Sequence, residues 1–263
     1  MLLLITLALI ACYLTGTVLL LRGGLRGESS TLALYLGAAA VALHALLLFG
    51  PSGAPDGTGF FRALSLVAFA MATTMTLAGV RERTRPLLIA IWPIALLAAP
   101  LGAYLPGTPH SADTHWQIRL HVVIALSAYA LLSIAALQAT IVAWQEHSLR
   151  KKRFGPALRA LPPLVAMESL LFQTIVAGFA LLTLTILSGA LFIDDWMAQR
   201  LVHKTVLTIV AWLVFGALII GHWRLGWRGR TAVRFTLAGM ALLLLAFFGS
   251  KFVLELILHR SVG

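Results

Sequence analysis

The chain has 263 residues, of which 60% are apolar and only 11% charged, with a net charge of +11 and a mean hydropathy of +0.95. Globular domains are about 25% charged, so the composition excludes a soluble enzyme and implies an integral membrane protein. The positive balance does not point to nucleic acid, because the basic residues are spread over four separate loops with no soluble domain to carry a binding face.

A spanning helix needs about 20 mostly apolar residues, and eight such segments are predicted. The first, Leu2 to Leu21, has no basic stretch before it and no small-residue cleavage site after it, so it reads as a spanning helix and not as a secretory signal. It holds the lone Cys12, which excludes an intrachain disulfide, a Cys-rich zinc site and haem attachment through CxxCH. The second, Leu32 to Phe49, carries His44, and the third runs from Phe61 to Val80. In the fourth, Leu87 to Tyr104, Pro93 and Pro100 remove backbone donors and should bend the helix.

The fifth segment is Ile118 to Trp144, followed by a stretch from His147 to Leu161 that serves as a topology-setting loop, with a short amphipathic surface helix as the lesser alternative. The sixth is Ser169 to Ile193, with Glu168 at its start, where a carboxylate meets the positive end of a helix dipole. The seventh is Leu201 to Gly221, and the eighth is Ala232 to Leu258, in which Lys251 and Glu255 can share a face. Close helix crossings are expected at Gly178, Gly189, Gly216 and Gly239. The seven tryptophans are expected mostly at membrane interfaces. The fold class is therefore all-α, a polytopic transmembrane bundle of eight helices over residues 1–263, with membrane lipid around it.

Short cytoplasmic loops are rich in Lys and Arg. Here Arg22 and Arg26, Arg81 to Arg85, Arg150 to Arg159, and Arg224 to Arg234 mark alternate loops, while the remaining loops carry Asp56, Asp113, Asp194 and Asp195. Both termini are thus expected on the outer, periplasmic side of a bacterial inner membrane.

On that topology His44, His110, His115, His121, His203 and His259 fall at or near outer segment ends, and His147 and His222 on the inner side. At 1.5 Å per residue, His121 and His203 each lie roughly 3 to 5 Å below the outer boundary and His44 about 8 Å below it. Ionisable groups in membranes are costly and mark functional sites. Two imidazoles from different helices can clamp a haem iron, so His121 and His203 are predicted iron ligands, with His44 as a further ligand position. Haem propionates would seek cations at that depth, and Arg119, Lys204, Arg200 and Arg62 are the candidates. A solvated role is expected for His110, His115 and His259. No P-loop, GxGxxG or HExxH pattern is present.

Four stretches carry a resemblance: His121 to Tyr129, Pro162 to Phe172, the pair His203 and Lys204, and Gly226-Trp227-Arg228-Gly229-Arg230. Together they resemble the cytochrome c assembly family of membrane proteins, of the CcsA and CcmC type, and within it the YpjD and HemX-like branch. The similarity is best over residues 116–258. The resemblance implies a bundle that handles noncovalent haem on the outer membrane face, with histidines as axial ligands, and it carries the family's outer histidine onto His121. Members that attach haem have a long Trp-rich loop ending in Trp-Asp, whereas this chain has the short Ile193-Asp194-Asp195-Trp196 run. A noncatalytic role is therefore expected. The family's inner membrane-embedded histidine falls two residues from His222, and its role is not carried over.

Two function classes follow. One is a haem-binding or haem-handling protein serving a cytochrome-maturation partner; the other is a noncatalytic subunit that stabilises or regulates another membrane protein. A small-solute or ion transporter using Lys204, Lys251 and Glu255 is a third and weaker reading.

Overall fold

The computed structural model describes residues 1–26, 30–50, 59–81, 84–105, 115–152, 155, 158, 161–192 and 199–249, with the backbone alone at 199–201, 203, 248 and 249. Among them the secondary structure is all helical: α1 (Leu2–Arg26), α2 (Thr31–Phe49), α3 (Phe60–Ala78), α4 (Arg85–Tyr104), α5 (Trp116–Arg150), α6 (Leu164–Phe192), α7 (Gln199–Leu225) and α8 (Gly229–Leu244), the last running on into a π-turn (Leu245–Gly249). In hydrocarbon every backbone polar group must be paired within the segment, which leaves the helix as the way for these runs to cross. All eight are long and apolar enough to span a membrane. Their outward faces expose residues such as Leu4, Leu77, Val165 and Leu191, an apolar surface suited to lipid and not to water.

Local sequence sets the ends. The Ser30 side chain accepts the Ala33 N–H at 3.3 Å and starts α2. Thr84 Oγ1 donates to the Ala78 carbonyl at 2.6 Å, and Arg85 Nε donates to the Gly79 carbonyl at 3.0 Å, which ties the end of α3 to the start of α4. Pro93 and Pro100 both lie within an unbroken α4. Helix α5 has 35 residues, roughly 50 Å at 1.5 Å per residue, so it exceeds a hydrocarbon core of about 30 Å by several turns. It ends six residues beyond the predicted Trp144.

The described chain gathers into two compact units, one built from α1–α4 and the other from α5–α8. In the first, α1 packs on α2 and α4, and α3 packs on α4. Trp92 of α4 is completely buried, and its indole N–H donates to Thr76 Oγ1 at 3.1 Å. The ring lies between Gly16 and Gly37: a Cβ at Gly16 would approach it to 3.0 Å, and one at Gly37 to 2.1 Å. This is close backbone approach at small residues, the main source of helix association in lipid.

In the second unit α5 packs on α6 and α8, and α7 on α6 and α8. Each glycine named from the sequence faces a neighbouring helix. A Cβ at Gly178 would meet Leu132 at 2.7 Å, at Gly239 Phe215 at 2.7 Å, and at Gly189 His121 at 3.2 Å; at Gly216 the contact with Phe179, 3.5 Å, is ordinary packing. Polar bonds add to this. Tyr129 Oη donates to the Leu243 carbonyl at 3.0 Å, and Trp212, stacked on Phe179, donates from its indole to Thr183 Oγ1 at 2.9 Å. Trp92 and Trp212 are thus packing residues between helices and not interface markers. Trp116, Trp144 and Trp223 are exposed near helix ends, as interfacial tryptophans are.

Candidate functional site

A cavity of about 460 Å³ opens within the α5–α8 unit, lined among others by His121, Ala125 and Tyr129 of α5, Thr185 and Gly189 of α6, and Lys204 of α7. Helical spacing brings these groups to one place: residues 121, 125 and 129 repeat every four positions and share a face of α5. The π-turn after α8 adds Ala246 and Phe247, and such turns recur at functional sites because they displace the ladder by one residue. Tyr129 fixes the wall of the cavity, bonded to Leu243 and packed 5.4 Å from the Phe247 ring. The volume falls in the range of about 300 to 1,000 Å³ common for small-molecule sites.

The His121 imidazole is held on one side. Its Nδ1 lies 2.9 Å from Ser188 Oγ, and Ser188 in turn donates to the Thr185 carbonyl at 3.1 Å. The absence of a side chain at Gly189 leaves room for the ring edge. Lys204 lines the cavity from α7. Basic charge, a histidine and apolar walls therefore meet, and this donor set fits an anionic, largely apolar macrocycle whose metal accepts an imidazole.

The other sequence-predicted residues are placed as follows. His203 lies on the α7 backbone one residue before Lys204, and its side chain is outside the described residues. From α7 the described residues Lys204, Thr205, Thr208 and Ile209 line the cavity. Arg119 is exposed and does not line the cavity. Arg62 belongs to the first unit, where it donates to the Leu48 carbonyl at 3.1 Å in the last turn of α2. His44 also belongs there, completely buried, with Nε2 3.0 Å from Ser65 Oγ and the Phe69 ring centroid 5.4 Å away. It is not among the residues lining the cavity. His110, Asp194, Asp195, Lys251, Glu255 and His259 lie outside the described residues. Among the described residues no group of three or more His, Cys, Asp or Glu gathers as a metal-binding set.

A second cavity, about 580 Å³, was not legible in the sequence. It lies toward the start of α6 and the end of α7, and Glu168, Phe172, Gln173, His222 and Arg228 are among its lining residues. His222 stacks on Phe172 with centroids 3.5 Å apart, and its Nδ1 is 2.8 Å from the Trp227 carbonyl. A carbonyl only accepts, so Nδ1 is the donor in this bond. The signal was the distance from His222 to the Gly226-Trp227 turn, which carries no meaning until that turn is seen folding back.

That turn explains the Gly226 to Arg230 motif. Gly226 and Gly229 adopt φ of +67° and +53°, where a side chain costs energy, and Trp227 N–H bonds back to the Gly221 carbonyl at 3.1 Å. Glu168 does not serve the dipole of its own helix, as the sequence suggested. It lies five residues into α6, and its Oε1 accepts the Gly229 N–H at 3.0 Å at the start of α8. Glu146 pairs with Arg150 at 2.5 Å and reaches Arg230 at 3.7 Å. Glu168→Ala is expected to destabilise the protein by about 1.5 to 3 kcal/mol, because a charge-assisted bond is lost. Thermal unfolding in detergent reads this out, and Glu168→Gln should recover much of the loss.

Comparison with known proteins matches this architecture. The pattern of the cytochrome C assembly protein family fits residues 28–258. Inner membrane protein YpjD of Escherichia coli (strain K12) is 36% identical over 221 residues, covering 83% of this chain and 82% of its own. Cytochrome c biogenesis protein CcsA of Prochlorococcus marinus (strain MIT 9303) is 23% identical over 88% of this chain and 83% of its own. Protein HemX of Brevibacillus brevis is 22% identical over 59% and 60%, respectively. No solved structure matches the chain. Eight apolar helices and these relatives make this a multi-pass protein of the bacterial inner membrane. The chain belongs to the cytochrome c assembly protein family.

Proposed function

We propose that this protein binds and handles haem noncovalently in the α5–α8 unit and serves cytochrome maturation without itself catalysing haem attachment. The observation that carries this reading is the His121 imidazole on the wall of an apolar cavity that Lys204 also lines. His121 would hold the haem iron through Nε2, and Lys204 would pair with a propionate. Bound there, haem supplies an iron centre open to ligand exchange and one-electron chemistry. The chain's own residues would position it: Ser188 holds the imidazole, and Tyr129 and Phe247 close the apolar wall.

In the two-ligand form of the proposal His203 would also hold the iron. It predicts that His203→Ala alone changes the haem spectrum, whereas a single-histidine site predicts a change only with His121→Ala. Freshly purified protein should show a Soret band. A colourless protein that copurifies with a membrane partner would replace this reading with that of a noncatalytic subunit.

The proposed orientation puts the His121 end outside and the Arg150 and Arg228 end inside, following the basic loops. A periplasm-active reporter fused at either terminus should then be active. Activity only of cytoplasmic reporters at the C-terminus would reverse the orientation.

A further inference from the structure

We propose that Ser188 is a positioning residue that fixes the tautomer of His121, placing the hydrogen on Nδ1 and leaving the Nε2 lone pair for a ligand in the cavity. The argument is one of hydrogen counting. A hydroxyl has a single hydrogen, and Ser188 can give its own to the Thr185 carbonyl, 3.1 Å away, which only accepts. The 2.9 Å contact with His121 Nδ1 is then a hydrogen bond only if Nδ1 is the donor. A neutral imidazole carries one N–H, so Nε2 is bare.

The surroundings fit the assignment. Ser188 is 8% exposed, so water competes little for its oxygen. Among the described residues nothing hydrogen-bonds Nε2, while His121 lines the cavity. Gly189, next to Ser188 on α6, lets the ring approach the helix, because a Cβ there would stand 3.2 Å from His121 Cε1. Serine and glycine together thus make a seat for one ring orientation. A partner on the far nitrogen also raises the basicity of the near one, as outer-shell hydrogen bonds do for ligating histidines. The consequence for haem rests on the proposed function; the tautomer does not.

The test uses full-length protein labelled with ¹⁵N-histidine in lipid nanodiscs without haem, with the His121 signals identified by their loss in His121→Gln. Wild type and Ser188→Thr, which keeps a hydroxyl, should show protonated Nδ1 and bare Nε2. Ser188→Ala should shift His121 toward the opposite tautomer and weaken haem binding by about tenfold or more, with Ser188→Thr restoring most of it. Wild type with hydrogen on Nε2, or Ser188→Ala with an unchanged tautomer, overturns the inference. If the serine-dependent tautomer is found and haem does not bind, the inference stands and the haem reading falls.

Discussion

His121→Gly protein is expected to lose the histidine-ligated haem spectrum of the wild type and to regain it when free imidazole is added. The deletion removes the ligand and leaves space for it against Ser188 and Gly189, so a small imidazole can occupy the seat the side chain vacated. Removing an outer-shell partner of a ligating histidine costs about 10- to 100-fold in affinity, so losing the ligand itself should cost at least that much. His44→Ala is the control. His44 is buried in the α1–α4 unit against Ser65 and Phe69, so its loss should lower stability and leave the haem spectrum unchanged. A spectrum that changes with His44→Ala and not with His121→Gly would move the site to the first unit.

The second large effect concerns packing. Gly37→Ala should destabilise the protein by about 1 to 3 kcal/mol, the usual cost of overpacking a filled core. The new methyl would stand 2.1 to 2.8 Å from three atoms of the Trp92 ring, and the ring has nowhere to go. Gly16 backs its other edge, and the Thr76 bond anchors its nitrogen. Gly16→Ala, with a nearest contact of 3.0 Å, should cost less. The order of thermal midpoints in detergent checks this: wild type, then Gly16→Ala, then Gly37→Ala. Equal midpoints for all three would show that the ring moves freely.

The helices were legible because lipid demands continuous apolar length, a signal that survives without knowledge of any partner. Gly178 and Gly239 were also readable, since in a membrane a helical glycine has little use except close approach. What was not legible depends on which faces meet. Trp92 reads like any interfacial tryptophan until Gly16 and Gly37 are seen to make a slot for it. Glu168 sits near a helix start and invites a dipole reading, yet its partner is the start of another helix, 61 residues on. His44 and His121 look alike in sequence, each a histidine near a segment end. One is bonded to a serine in a closed core, and the other is bonded to a serine beside a cavity, a difference that only packing creates.

The central claim, that His121 anchors haem in the α5–α8 cavity, is tested most directly by titrating haem-free protein in nanodiscs and following the Soret band. The account predicts saturable uptake by the wild type, with affinity at least tenfold lower in His121→Ala. No saturable uptake by the wild type, or equal affinity in both proteins, would contradict it.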